Sequence, residues 1–125
     1  MGGNREVNGG AKSMKFACSL SAPAEARSYV RGHLPVGDVA DAVELMVSEL
    51  VTNAVVHARS GVEMTLEELS DRTRVEVCDD SARLPETRDP TEAGGRGLLV
   101  VEALADRWGV QRLDGGKAIW FEVTG

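Results

Sequence analysis

The pattern of hydrophobic periods along the 125 residues predicts an α/β two-layer sandwich, a mixed and mainly antiparallel sheet covered on one face by three helices. Three observations predict it. Apolar residues recur at helical spacing in three segments, whereas shorter runs alternate with a period of two. The alternating runs follow one another through short polar turns, which forces antiparallel neighbours. Finally, 42% hydrophobic and 27% charged residues in so short a chain suit one folded domain with one core.

Residues 1–12 mix glycine and asparagine with scattered charges and show no period, so a flexible N-terminal arm is expected there, ahead of a domain over 13–125. Phe16, Cys18 and Leu20 alternate with polar or small residues as a first strand. Ser21-Ala22-Pro23 then offers a cap and a proline start for a helix through Leu34, ended by Pro35 and Gly37. The longest periodic segment, Val39 to Ala58, reads as the central helix. Val62 to Glu68 and Thr73 to Cys78 read as strands around a Ser70-Asp71-Arg72 turn. From Asp79 to Arg96 the chain is polar and carries prolines and glycines, longer than a plain connection requires. Helical spacing resumes from Leu98 to Ala105, and Val110 to Leu113 with Ala118 to Val123 flank the hairpin signal Asp114-Gly115-Gly116-Lys117.

Composition excludes several classes. With 14 basic against 20 acidic residues and no basic run, nothing tracks phosphates along a duplex, so no nucleic acid is expected. No apolar stretch approaches the ~20 residues of a membrane helix, and the start lacks a hydrophobic signal core, so the expectation is a cytoplasmic protein with no membrane partner. Cys18 and Cys78 lie far apart within apolar alternation and are expected to be buried, reduced thiols.

Two segments carry chemistry. On the central helix Asp41, Glu44, Ser48 and Thr52 form a stripe expected to face water. Within or beside the apolar arc of Val39, Val43, Met46, Val47, Leu50, Val51 and Ala54 sit Glu49, Asn53 and His57, spaced by four. A carboxylate among Leu45 and Val56 loses water and requires compensation. Either Glu49 has a salt-bridge partner and Asn53 bonds nearby backbone, or the pair projects into a cavity, Asn53 with an amide oxygen for a divalent cation and Glu49 with a carboxylate for a water. In the second segment Gly94-Gly95-Arg96-Gly97 directly precedes a helix, where unpaired amides and the helix dipole attract phosphate. Neither GxxxxGK[ST] nor GxGxxG is matched, so the P-loop and dinucleotide fingerprints are excluded.

Glu49-Leu50-Val51-Thr52-Asn53-Ala54-Val55-Val56-His57 resembles the N box of the GHKL (histidine kinase-like) ATPase superfamily, which includes histidine kinases, gyrase, Hsp90 and MutL. Val75-Glu76-Val77-Cys78-Asp79-Asp80-Ser81 resembles the strand and turn of its first glycine box, and Gly95-Arg96-Gly97-Leu98 the second, in the same order. Gly116-Lys117-Ala118-Ile119-Trp120-Phe121-Glu122 resembles its closing strand, so the likeness covers about Phe16 to Val123. The short length looks most like the anti-sigma-factor serine/threonine kinase branch in its actinobacterial form. The resemblance implies the Bergerat-type fold, ATP with Mg²⁺ as cofactors, and phosphorylation of an anti-anti-sigma STAS-type partner or binding of a sigma factor, with a homodimer left open. It gives Asn53 the metal, Glu49 the role of catalytic base and Asp79 the adenine amino group. Gly95, Arg96, Gly97 and Leu98 would form the phosphate-binding segment, with Asp80 to Gly94 as a lid. The family pattern DxGxG reads Asp79-Asp80-Ser81-Ala82-Arg83 here, with both glycines replaced. That departure supports the alternative of a non-catalytic nucleotide-binding module that sequesters a regulatory partner.

Overall fold

The computed structural model describes residues 11–81 and 97–125. Its elements are β1 (Ala11–Phe16), α1 (Ala22–His33), α2 (Asp38–Thr52), which runs on as a π-turn (Asn53–His57), β2 (Val62–Glu68), β3 (Arg72–Asp79), α3 (Gly97–Leu104), β4 (Arg107–Leu113) and β5 (Gly116–Thr124). The five strands form one antiparallel sheet in the order β1-β2-β3-β5-β4, and the helices cover one face. The α/β sandwich expected from the periods is therefore present, with every strand pair antiparallel.

Residue parity explains the layering. Met64 and Leu66 of β2, Val75 and Val77 of β3, and Ile119, Phe121 and Val123 of β5 point to the helical side and are buried against Val43, Met46, Val47, Leu50 and Val51 of α2. α1 adds Ala22, Ala26 and Val30, and α3 adds Val101. The opposite parity gives an open face, where Glu122 faces Arg74 across β3–β5 and Trp120 lies under the Arg74 guanidinium at 4.5 Å. Gly109 of the neighbouring β4 makes room for this indole, since a Cβ there would stand 2.8 Å from Trp120 Nε1.

Several expectations are corrected. The first strand is Ala11–Phe16 instead of Phe16 to Leu20, so it begins inside the stretch expected to be an arm. The reason is pairing: β2 starts at Val62, opposite Phe16, and Gly61 passes so close that a Cβ would stand 2.8 Å from the Phe16 carbonyl oxygen. Beyond Phe16 the alternation has no partner strand, and Leu20 is 85% exposed. Cys18 is exposed, and Cys78, on the open face, is half-buried; both are free thiols. Of the stripe expected to face water, Asp41 is exposed, but Glu44 and Ser48 meet α1, where Arg31 bonds Glu44 and Arg27 bonds Ser48, each at 2.7 Å. Spacing along one helix cannot reveal that a second helix lies on its polar flank. The expected lid, together with Gly95 and Arg96 of the glycine segment, lies outside the described residues apart from Asp80 and Ser81.

Candidate functional site

The site is built where the ends of α2 and β3 meet. α2 does not finish as an α-helix: at Asn53 the pattern widens to a π-turn, and the Ala58 amide bonds back to Asn53 O at 3.1 Å. The chain then reverses at Arg59, whose φ of 53° is left-handed, and the Ser60 amide reaches Ala54 O at 2.9 Å. Ser60 is buried, and its hydroxyl accepts the Asp80 amide at 3.0 Å. This tie holds the end of β3 against the end of the central helix, bringing the Asn53 and Asp79 segments to one end of the sandwich.

Asn53 is 8% exposed, and among the described residues neither its Oδ1 nor its Nδ2 has a hydrogen-bond partner. Leaving such a group unpaired costs about 1–3 kcal/mol, a cost that a ligand can remove. Glu49, one turn earlier, is half-buried. Its flank is more open than the apolar spacing predicts, because Leu45 and Val56 are 47% and 42% exposed. α1 packs on another flank of α2 through Arg27 and Arg31, which bond Ser48 and Glu44. His57 is exposed at the end of the π-turn.

Asp79 ends β3 on the helical side, with a side chain 7% exposed. Directly opposite on β5 stands Lys117, whose side chain is 3% exposed. Its Nζ donates to Asp79 Oδ1 at 2.9 Å and Oδ2 at 2.8 Å, and to the Ser81 carbonyl at 3.3 Å. The Ser81 amide also donates to Oδ1 at 2.9 Å. β5 can come this near because Gly116 lacks a side chain; a Cβ there would run into the Asp79 carbonyl oxygen. Neither Lys117 nor Ser60 is among the residues the sequence reading singled out. Lys117 falls in the hairpin signal, yet it shares parity with Ile119, Phe121 and Val123, which was the available sign that it points inward.

A cavity of about 440 Å³ opens at the same end of the sheet, lined in part by Lys15, Glu63, Cys78, Asp114 and Gly115. Lys15, Glu63 and Cys78 have open-face parity, Phe16, Val62 and Asp79, which also line it, have helix-side parity, and Asn53 is not part of the lining. Leu98 is buried near the start of α3, and Gly97 is the first residue of that helix. Among the described residues no three His, Cys, Asp or Glu side chains converge to hold a metal. The Asn53 amide oxygen, buried and without a hydrogen-bond partner among the described residues, fits an ion otherwise held by phosphates and water, as Mg²⁺ is in nucleotide sites.

The profile of the histidine kinase-like ATPase domain matches residues 20–123. The chain belongs to this family. A relative in Streptomyces coelicolor, an uncharacterised protein, is 33% identical over an alignment of 86 residues that covers 63% of this chain and 82% of that one. Among solved structures, the RsbU and RsbW domains of Rv1364c from Mycobacterium tuberculosis superpose with a TM-score of 0.70 at 19% identity. The alignment covers 90% of this histidine kinase-like domain but only 32% of that chain. The histidine kinase domain of a blue-light activated histidine kinase from Erythrobacter litoralis gives a TM-score of 0.53 at 23% identity, covering 82% of this chain and 59% of that one. These likenesses support the fold, the histidine kinase-like ATPase fold. Among the described residues no helix is long and apolar enough to cross a membrane.

Proposed function

We propose that this domain binds ATP with Mg²⁺ and phosphorylates a serine or threonine of an anti-anti-sigma, STAS-type partner, so regulating a sigma factor in the cytoplasm. The observation that carries the reading is Asn53, a buried amide with no hydrogen-bond partner among the described residues, one turn from the half-buried Glu49. Bound ATP supplies the phosphoryl group, and Mg²⁺ offsets its charge. The Asn53 oxygen holds the cation, and the Asp79 carboxylate receives the adenine amino group. Gly95, Arg96, Gly97 and Leu98 would be the residues that take the phosphates. Glu49, one turn before Asn53, would take the proton of the attacking hydroxyl as the new phosphate ester forms and the bond from the γ-phosphorus to the bridging oxygen breaks, releasing ADP. The neighbour containing RsbU and RsbW domains supports a partner of this regulatory kind.

A second reading, a nucleotide-binding module that sequesters its partner without catalysis, is favoured by the replaced glycines at Ser81 and Arg83. Single-turnover transfer of labelled γ-phosphate to a candidate partner, run beside an ATP titration, separates the two. Glu49→Ala is expected to bind ATP as the parent does while transfer falls by about 10²–10⁴-fold. Transfer at the parent rate removes Glu49 as base. A parent that binds ATP and partner without transfer establishes the sequestering module.

A further inference from the structure

We infer that Lys117 is a specificity-determining residue that restricts the Asp79 pocket to a base presenting a single hydrogen-bond donor, as adenine does, against the adjacent double donor of guanine. The inference rests on the nucleotide reading above and deepens it at the base.

A carboxylate offers about four acceptor positions, two on each oxygen. At Asp79 the Lys117 Nζ lies within 2.9 Å of both oxygens, so it sits between them and fills the two positions that face each other. The outer position of Oδ1 receives the Ser81 amide at 2.9 Å. Among the described residues only the outer position of Oδ2 is left. The lysine cannot be turned away cheaply, because its three N–H donors are spent on Oδ1, Oδ2 and the Ser81 carbonyl, and its side chain is 3% exposed.

The two purines present different edges. Adenine has one amino group beside an acceptor nitrogen, and one open acceptor satisfies it. Guanine has N1–H and a 2-amino group side by side, and a carboxylate captures both only when its two oxygens are open on the facing side. Lys117 occupies that side. A guanine donor would then be buried unpaired, a loss of about tenfold or more in affinity. The discrimination comes from excluding the wrong base, not from an added contact to the right one.

The test compares ADP, IDP and GDP by calorimetry with Mg²⁺ in the parent, Lys117→Met and Lys117→Arg. IDP and GDP differ only by the 2-amino group, so their ratio isolates the second donor without any substitution. The parent is expected to bind ADP best and IDP at least tenfold more tightly than GDP. Lys117→Met should invert the IDP to GDP ratio, whereas Lys117→Arg, still able to span both oxygens, should keep it. If Lys117→Met does not fold, the parent and Lys117→Arg ratios decide alone. A parent that binds ADP yet takes GDP as well as IDP overturns the role of Lys117 only. A parent that binds none of the three overturns the nucleotide reading together with it.

Discussion

The Ser60 hydroxyl accepts the Asp80 amide at 3.0 Å while donating to the Gly61 carbonyl at 2.6 Å. One side chain thus couples the turn after the central helix to the turn after β3, across 20 residues of sequence. Ser60→Ala leaves the Asp80 amide without that acceptor, at a cost of about 1–3 kcal/mol. The expected result is a melting temperature lower by several degrees and weaker ADP binding, since Ser81 and its bond to Asp79 follow directly in the chain. Unchanged melting and binding in the variant would contradict the tie.

Asn53→Leu should act in opposite directions on the two properties. Removing an unpaired buried amide and filling the space with an apolar side chain of similar size raises the stability of the ligand-free protein by about 1 kcal/mol. The oxygen intended for the cation goes with it. The stabilisation of the parent by ADP and Mg²⁺ in a thermal melt should therefore disappear in the variant. A variant that is less stable alone, yet stabilised as the parent is, would mean that Asn53 serves the core and not a ligand.

Burial pushes the Cys78 thiol up to about 11, with Glu76, Glu63 and Asp79 adding repulsion against the thiolate. In the folded protein the proton is retained over a range where the unfolded chain releases it. The stabilisation tied to the neutral thiol is whole below about pH 9 and is lost as the pH rises towards 11. Cys78→Ala should therefore lose less stability than the parent between pH 8.5 and 10.5 in urea titrations. Equal losses would place the thiol in an ordinary environment. Alkylation at pH 8 should reach the exposed Cys18 first, because only about one Cys78 in a thousand is then a thiolate.

Legibility followed the range of the interaction. That Glu49 and Asn53 lie one turn apart on one helical segment was readable because a helix fixes which residues share a flank, and the central helix, the β2–β3 pair and the β4–β5 hairpin announced themselves through local period and turn residues. Cys18 was misread as buried because alternation continues past Phe16, and only the position of β2 decides where pairing stops. The polar stripe of Glu44 and Ser48 was misread for a similar reason: α1 supplies Arg31 and Arg27 to it from outside the segment.

By itself the sequence determined the layers, since a period of two or of 3.6 residues dictates which side of each element is apolar, and apolar sides must meet. It also placed an acid and an amide one turn apart on the central helix. Only the tertiary structure decided what those polar groups encounter. Among the described residues Asn53 is left without a hydrogen-bond partner, and Asp79 is given Lys117 by the β3–β5 register. Such pairings depend on the register of strands 38 residues apart, fixed by packing summed over the whole sheet, and no local period encodes them.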